Sequence, residues 1–266
     1  MNSPDIQSQI QQRLDEIEQQ HQVTILHAIE SGSRAWGFAS SDSDWDVRFI
    51  YIHRPRWYLS IHESRDVIEL PIEGDLDING WDLRKSLRLM HKGNPVLFEW
   101  LASPIVYRQN SEIMESYRSI AAPFFLPNTA MHHYLHMAKG NFREYLHRDQ
   151  VRLKKYFYVL RPVLAMQWIE QGWGQPPMLF SDLVEKLVPP GDLFNEIEQL
   201  LEWKRNADEK AEGPKREAFH EFLDRELTRL EQVVKEVPRH KPLPQAHQAS
   251  EEFFQNLVLS GDDGLS

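Results

Sequence analysis

Hydrophobic positions in the first 125 residues alternate between spacings typical of helices and of strands. Apolar residues recur every three or four positions over residues 4–20, which predicts an amphipathic helix that buries Ile6, Ile10, Leu14 and Ile17. Runs of β-branched and apolar residues predict strands at 23–29 and 46–52, and shorter strands that begin at Val67 and Leu76. Residues 31–37 have the composition of a turn that opens a short helix. Leu83, Leu87 and Met90 predict a further helix, which Gly93 ends before Pro95 opens the next.

From about residue 128 the pattern becomes charged and helical, with few strand signals. The segments with helical periodicity are 130–172, 192–207 and 214–236. We therefore predict a mixed α/β domain with a mixed central sheet over residues 1–125, followed by an all-helical domain over 126–237. The segment 238–266 begins with a stretch of proline and polar residues, and this composition predicts a linker or arm. Four apolar residues near its end are expected to dock as one helical turn: Phe253, Phe254, Leu257 and Val258.

Composition narrows the classes of protein to consider. The 266 residues include 40 acidic and 30 basic side chains, a formal net charge of −10, which argues against nonspecific coating of nucleic acid. The absence of cysteine excludes disulfides, thiolate metal sites and a cysteine nucleophile. A polar start and the lack of a run of about 18 apolar residues predict a cytoplasmic protein without a membrane partner.

The candidate chemistry is concentrated in residues 32–46. Side chains alternate along a strand, so Asp44 and Asp46 are expected on one face. Neighbouring carboxylates repel each other unless a cation lies between them, and Mg²⁺ favours carboxylate oxygens together with substrate phosphates. Gly32-Ser33 lies at the predicted junction of strand and helix, where backbone N–H groups favour a phosphate. These features together predict phosphoryl or nucleotidyl transfer.

The same residues carry a family resemblance. Gly32-Ser33, a short spacer and Asp44-Trp45-Asp46-Val47 resemble the signature of the polymerase-β nucleotidyltransferase superfamily. The segments Asn79–Lys85 and Lys92–Pro95, with Glu99 beyond them, make the chain similar to the YcgL-like group of predicted nucleotidyltransferases, some of which are linked to RNA repair. The resemblance covers residues 23–107, and it extends more loosely to the helices of 130–172.

The resemblance implies a metal-binding and catalytic role for three carboxylates. Asp44 and Asp46 are expected to hold two Mg²⁺ ions, for which Mn²⁺ can substitute, and a third carboxylate on a later strand assists. Asp77 and Asp82 both fit the pattern of an acid between hydrophobic residues. We prefer Asp77, because Asp82 stands just before a helical run and is explained as its N-cap. The plain alternative for Asp44 and Asp46 is an acidic surface turn.

The nucleotide is expected at the glycine–serine turn and at basic residues. The resemblance implies that the Gly32 backbone and Ser33 bind the terminal phosphates. Arg34 either binds phosphate or is a solvated residue of the first helical turn. Residues 139–161 carry seven basic and two acidic side chains, so they predict a basic helical face. Its Lys155 and Arg161 are expected to meet triphosphate or RNA, with a solvated surface as the alternative.

We therefore predict Mg²⁺-dependent transfer of a nucleoside monophosphate, with AMP as the first choice, from a nucleoside triphosphate to a hydroxyl. An RNA end is the favoured acceptor. One alternative is AMP transfer to a protein hydroxyl in a toxin–antitoxin or regulatory system. The other is a nucleotide- or RNA-binding module without catalysis, against which the intact pair of Asp44 and Asp46 argues. Trp36 and Trp45 are expected to pack in the core.

Overall fold

The computed structural model describes residues 3–206 and 212–260, and within them the chain forms two compact units. The first unit runs to Gly32, resumes at Asp44–Phe124 and takes in the chain from Lys241 onward. The second unit comprises Ser33–Ser43 and Phe125–His240. Across the described ranges, no helix combines the length and the apolar character needed to cross a membrane.

The first unit contains a mixed central sheet, as predicted, and this sheet has five strands. Its strands are β1 (Val23–Glu30), β2 (Trp45–His53), β3 (Val67–Glu69), β4 (Leu76–Asp82) and β5 (Val106–Gln109). They lie in the order β3-β4-β2-β1-β5. The pair β2–β4 is parallel and the other neighbouring pairs are antiparallel. The four predicted strands are all present, whereas the hydrophobic pattern does not predict β5.

Six helices lie within residues 3–125. They are α1 (Ser3–His21), α2 (Gly32–Ala35), α3 (Pro55–Tyr58), α4 (Leu83–His91), α5 (Pro95–Leu101) and α6 (Ser111–Ala121), with a 3₁₀ turn at Ala122–Phe124. The predicted apolar face of α1 is buried against one face of the sheet, where it shares a cluster with Val47, Phe49 and Ile78. Because side chains alternate along a strand, the neighbours of these residues point to the other face of the sheet.

The boundaries of α4 and α5 follow from their capping residues. Asp82 is the N-cap of α4, where its Oδ1 accepts a hydrogen bond from the Arg84 N–H at 2.8 Å. Gly93 adopts a left-handed conformation with φ +63° after α4 ends. Asn94 Oδ1 accepts a hydrogen bond from the Val96 N–H at 3.0 Å, and Pro95 begins α5. These observations confirm the predicted end of α4, the start of α5 at Pro95 and the capping role of Asp82.

The burial of Asp82 predicts a pH dependence of stability. Its side chain is fully buried and accepts a hydrogen bond from the Tyr58 hydroxyl at 2.7 Å. Burial raises the pKa of Asp82 to about 6. The folded state therefore binds more protons than the unfolded state between about pH 4 and pH 6, and this carboxyl lowers the stability as the pH rises through that window.

We expect Asp82→Asn to remove this loss, because asparagine keeps the capping oxygen without a charge. The free energy of unfolding of the variant, minus that of the wild type, should increase by about 2–3 kcal/mol from pH 4 to pH 7. Urea unfolding at a series of pH values measures this difference. Glu115→Gln, which changes an exposed carboxylate of α6, is the control and should show no such trend. A constant difference between Asp82→Asn and wild type would contradict the assignment.

In its described residues, the second unit is helical apart from one two-stranded ribbon. Its elements are α7 (Pro127–Tyr145), β6 (Gln150–Arg152), α8 (Lys154–Glu170), α9 (Phe180–Leu187), α10 (Asp192–Asn206), β7 (Glu212–Pro214) and α11 (Glu217–Glu236). The helix α8 is buried over most of its surface, and α7, α9 and α11 pack against it. The predicted helix 192–207 is α10, and residue 207 lies outside the described residues.

The prediction that residues 130–172 are helical holds for α7 and α8 and is wrong for the segment between them. The chain leaves the helix after Tyr145 and forms β6, which pairs antiparallel with β7. Val151 and Leu153 are buried on either side of the exposed Arg152, a period of two that is typical of a strand. A Cβ on Gly213 would lie 2.9 Å from Leu153 Cδ1, so the glycine of β7 leaves room for this leucine.

The C-terminal segment forms α12 (Pro244–Ser260), which belongs to the first unit. It is a 17-residue helix, longer than the single docked turn that the sequence predicts. Phe253 contacts Tyr117 at a ring-centroid distance of 5.6 Å, and Phe254 contacts Tyr58 at 5.2 Å. The expected docking of these phenylalanines is therefore observed, while residues 261–266 of the predicted arm lie outside the described residues.

Candidate active site

The sheet of the first unit aligns two of the predicted carboxylates. In the parallel pair β2–β4, Asp46 is the direct partner of Asp77. Val47 and Ile78, the next residues along each strand, are buried in the cluster with α1. The two aspartates therefore project from the opposite face, and each side chain is 29% exposed. The parallel register thus places two carboxylates side by side at a solvent-accessible position.

Arg48 contacts both carboxylates of this pair. Its Nη2 donates to Asp46 Oδ1 at 2.9 Å and to Asp77 Oδ2 at 2.7 Å. Its Nη1 donates at 3.0 Å to the backbone carbonyls of Val47 and Asp77. The guanidinium therefore places a positive charge between two negative ones. Sequence reasoning missed Arg48, although its position two residues after Asp46 puts it on the same face of β2.

A buried glutamate at the end of β1 holds the backbone of Asp46. The Glu30 side chain is fully buried, and its Oε1 accepts a hydrogen bond from the Asp46 N–H at 2.8 Å. The Tyr107 hydroxyl donates to the other carboxylate oxygen of Glu30. The Ser31 N–H donates to the Asp46 carbonyl at 2.8 Å. Sequence reasoning missed Glu30 as well, although an acid that directly follows a buried apolar strand is an unusual signal.

Gly32 lies directly against the Asp46 carboxylate. Its φ is +60°, a left-handed conformation that favours glycine. A Cβ at this position would overlap Asp46 Oδ2. Two separate constraints therefore favour glycine at position 32: the left-handed backbone conformation and the close approach of Asp46. The structure thus brings Gly32, Asp46 and Asp77 together within the first unit.

The other two candidate carboxylates, Asp44 and Asp82, are not part of the aligned pair of Asp46 and Asp77. Asp44 is exposed and directly precedes β2, whose first residue, Trp45, donates its N–H to the Asp75 carbonyl at 2.6 Å. Asp82 lies at the end of β4, where it caps α4. Within the described ranges, no three histidine, aspartate or glutamate side chains are already arranged to hold a metal ion. The predicted set of Asp44, Asp46 and Asp77 is therefore not assembled as a three-ligand centre.

The donor chemistry of Asp46 and Asp77 nevertheless fits a divalent cation. Both supply carboxylate oxygens, which are the ligands that Mg²⁺ and Mn²⁺ prefer. They already hold one positive group, the guanidinium of Arg48. Gly32 has no side chain to cover Asp46. Asp46 and Asp77 are the residues that would hold such an ion in this unit.

The serine and arginine that follow Gly32 have structural contacts in the second unit. Ser33 is buried, and its carbonyl accepts a hydrogen bond from the Phe38 N–H at 3.2 Å. Arg34 Nη2 donates to the Ser43 carbonyl at 2.6 Å, so the side chain closes the segment 33–43 on itself. Phosphate binding by Ser33 and Arg34 stays a prediction.

The basic residues predicted to form one helical face are divided between elements. Because the chain leaves the helix between α7 and α8, the residues of 139–161 do not lie on a single helix, and that part of the prediction is wrong. Lys155 lies in α8, and its Nζ is 3.9 Å from the ring centroid of Tyr145 and 4.8 Å from that of Tyr158. These cation–π contacts orient the ammonium group beside two phenol rings.

Arg161 is buried in the second unit rather than lying on a basic surface. Arg161 is 1% exposed, and its guanidinium carbon is 4.5 Å from the ring centroid of Trp36. Its Nη2 lies 3.6 Å from the Met178 sulfur. Trp36 packs against the core of this unit, and Trp45 packs against the α1 cluster, which confirms both expectations. Nucleotide binding by Lys155 and Arg161 stays a prediction.

A relative and a family model agree with the resemblance found in the sequence. A Bacillus subtilis (strain 168) protein, "Uncharacterized protein YcgL", is 48% identical over 228 residues, which cover 86% of this chain and 88% of that protein. A crystal structure of a nucleotidyltransferase-like protein from Exiguobacterium sibiricum 255-15 aligns with 94% of this chain and 80% of its own, at 11% identity and a TM-score of 0.27. A family model described as "RNA repair pathway DNA polymerase beta family" matches residues 6–255. The chain therefore belongs to the RNA repair pathway DNA polymerase beta family.

Proposed function

We propose that this protein is a Mg²⁺-dependent nucleotidyltransferase that moves a nucleoside monophosphate, with AMP as the first choice, from a nucleoside triphosphate to a hydroxyl. The observation that carries the proposal is the register of β2 and β4, which puts Asp46 beside Asp77 with Gly32 against Asp46. Family membership supports nucleotidyl transfer as the chemistry and RNA as the acceptor. The cytoplasmic location predicted from the sequence is part of this proposal.

The reaction is a displacement at the α-phosphorus. The acceptor hydroxyl loses its proton to solvent and its oxygen forms a bond to that phosphorus, while the bond to the bridging oxygen of the β-phosphate breaks and pyrophosphate leaves. A divalent cation, when bound, supplies positive charge to the phosphate oxygens and lowers the cost of deprotonating the acceptor hydroxyl. Asp44, Asp46 and Asp77 would hold it, with Asp77 as the third carboxylate, on the later strand β4.

The remaining residues of the first unit position these carboxylates. Glu30 fixes the backbone of Asp46 through its N–H, and Gly32, which has no side chain, lets the Asp46 carboxylate lie directly against it. Preorganised ligands of this kind save the reorganisation energy that a flexible site would spend during the reaction. Binding of the triphosphate by the Gly32 backbone, Ser33 and Arg34, and by Lys155 and Arg161, completes the proposal on the basis of their charge and hydrogen-bonding chemistry.

The test is a transfer assay with triphosphates labelled at the α-phosphorus. The protein is incubated with each labelled triphosphate, Mg²⁺, and either total RNA or proteins from a lysate. We expect label from ATP in RNA, dependent on Mg²⁺ and absent with Asp46→Asn. Glu115→Gln, an exposed substitution on α6, should transfer normally.

Each other outcome identifies an alternative. Label in protein would contradict the RNA acceptor and support a protein-modifying enzyme. Binding of triphosphate without transfer to either acceptor would contradict catalysis and support a silent binding module. Transfer that persists after complete chelation of divalent cations would contradict the proposed dependence of the reaction on Mg²⁺.

A further inference from the structure

Arg48 contacts both of the carboxylates that would hold a cation. One of its terminal nitrogens donates to both aspartates, at 2.9 Å for Asp46 and 2.7 Å for Asp77. The Arg48 side chain is 15% exposed, so water screens these contacts only in part. A divalent ion that takes the same two oxygens, Asp46 Oδ1 and Asp77 Oδ2, displaces or shares the hydrogen bonds of this guanidinium.

The second terminal nitrogen of Arg48 is held independently of the two carboxylates. Nη1 donates to the backbone carbonyls of Val47 and Asp77, which belong to the paired strands β2 and β4. A cation at the carboxylates does not compete for these bonds. If an ion displaces Nη2 from the carboxylates, these backbone hydrogen bonds would still hold the guanidinium on the sheet, with its charge near the ion.

We propose that Arg48 is a built-in competitor of the divalent cation, which keeps the affinity of the Asp46 and Asp77 pair for the free ion low. The charge of the pair is −2 without the arginine and −1 with it. A site with the smaller negative charge attracts a free dication less strongly. A nucleoside triphosphate brings its own negative charge, so the ion binds well only as its complex with the nucleotide. This inference rests on the proposed function for the identity of the ligand.

The structure offers a matched comparison for this arginine. Arg108 also contacts two carboxylates in the first unit, with Nη2 at 2.6 Å from Asp15 and Nη1 at 2.9 Å from Glu18. Its partners lie on α1, on the face of the sheet opposite to the Asp46 carboxylate. Arg108→Gln therefore removes the same kind of double ion pair without removing charge from the candidate metal site.

The test measures Mn²⁺ binding to the full chain without nucleotide, by loss of the electron paramagnetic resonance signal of the free ion. We expect Arg48→Gln to bind Mn²⁺ at least about tenfold more tightly than wild type. Arg48→Lys, which keeps the charge, should stay closer to wild type than Arg48→Gln, and Arg108→Gln should match wild type. Adding Asp46→Asn to Arg48→Gln should abolish the gain. Unchanged or weaker binding by a folded Arg48→Gln would overturn the proposal, because it would make Arg48 a support for the carboxylates rather than a competitor.

A second measurement uses the wild-type protein and does not depend on the folding of a variant. The side-chain ¹⁵N–¹H signal of Arg48 is followed by NMR during a Mg²⁺ titration. A saturable shift with the same midpoint as ion binding is expected, and an unshifted signal at saturating ion would overturn the proposal. Neither readout involves catalysis. A protein without transferase activity that still shows the Arg48→Gln effect would refute the proposed function alone, and an active enzyme without the effect would refute this inference alone.

Discussion

Asp46→Asn is expected to lower nucleotidyl transfer by at least about a thousandfold, which corresponds to the several kcal/mol that a bound metal ion contributes to a transition state. The change removes the charge of the carboxylate that lies against Gly32 and contacts Arg48. Asparagine keeps the size of the side chain and one oxygen that accepts from Arg48. We therefore expect a change of less than about 1 kcal/mol in the free energy of unfolding, as is typical of ion pairs near the surface.

The assay with α-labelled ATP measures the loss, and the thermal midpoint checks that the variant is folded. Asp15→Asn is the matched control, because Asp15 is also an aspartate paired with an arginine of the first unit. More than about a tenth of wild-type transfer in a folded Asp46→Asn would contradict the role of this carboxylate. The same assay separates the two candidates for the later carboxylate: Asp77→Asn should lose activity as Asp46→Asn does, and Asp82→Asn should retain it.

Gly32→Ala is expected to lower transfer by about a hundredfold, because displacing a reacting group by about 1 Å has an effect of that size. A Cβ at residue 32 would overlap Asp46 Oδ2, so the carboxylate must move away from its place beside Asp77. The left-handed backbone of Gly32 adds a cost of about 1–2 kcal/mol for any residue with a Cβ.

Gly74 provides the control that separates these two effects. It has φ +63°, and a Cβ built on it meets nothing within 4 Å. Gly74→Ala therefore has the same backbone strain without the overlap. We expect both variants to be destabilised to a similar degree in urea unfolding, and Gly32→Ala alone to lose activity. Equal transfer by the two variants would show that the close contact of Gly32 with Asp46 has no part in the reaction.

Much of the first unit can be predicted from the sequence because its signals are local. The helical spacing of Ile6, Ile10 and Leu14 predicts α1, and these residues are buried as expected. Asp82 and Asn94 cap their helices through hydrogen bonds to residues two positions ahead. A short spacing along the chain is enough to specify such contacts.

The parts of the site that the sequence does not reveal depend on distant residues. Arg48 lies 29 positions from Asp77, and their contact requires the parallel pairing of β2 with β4. Glu30 lies 77 positions from Tyr107. Hydrophobic periodicity predicts each strand, but it does not determine which strands become neighbours or in which register.

The second unit shows how tertiary contacts override a local pattern. Residues 139–161 have the composition of a basic helix, yet pairing with β7 makes a strand of Gln150–Arg152. Arg161 has the charge of a phosphate ligand, yet it is buried against Trp36. Charge and periodicity alone do not show which basic residues face solvent.

A crystal structure with Mg²⁺ and a non-hydrolysable triphosphate tests the central assignment most directly. We predict an ion about 2.0–2.1 Å from oxygens of both Asp46 and Asp77, with a triphosphate oxygen in the same coordination shell. Nη2 of Arg48 should then no longer contact both aspartates. A complex in which nucleotide and ion lie away from the two carboxylates, while Arg48 still contacts both, would contradict the account.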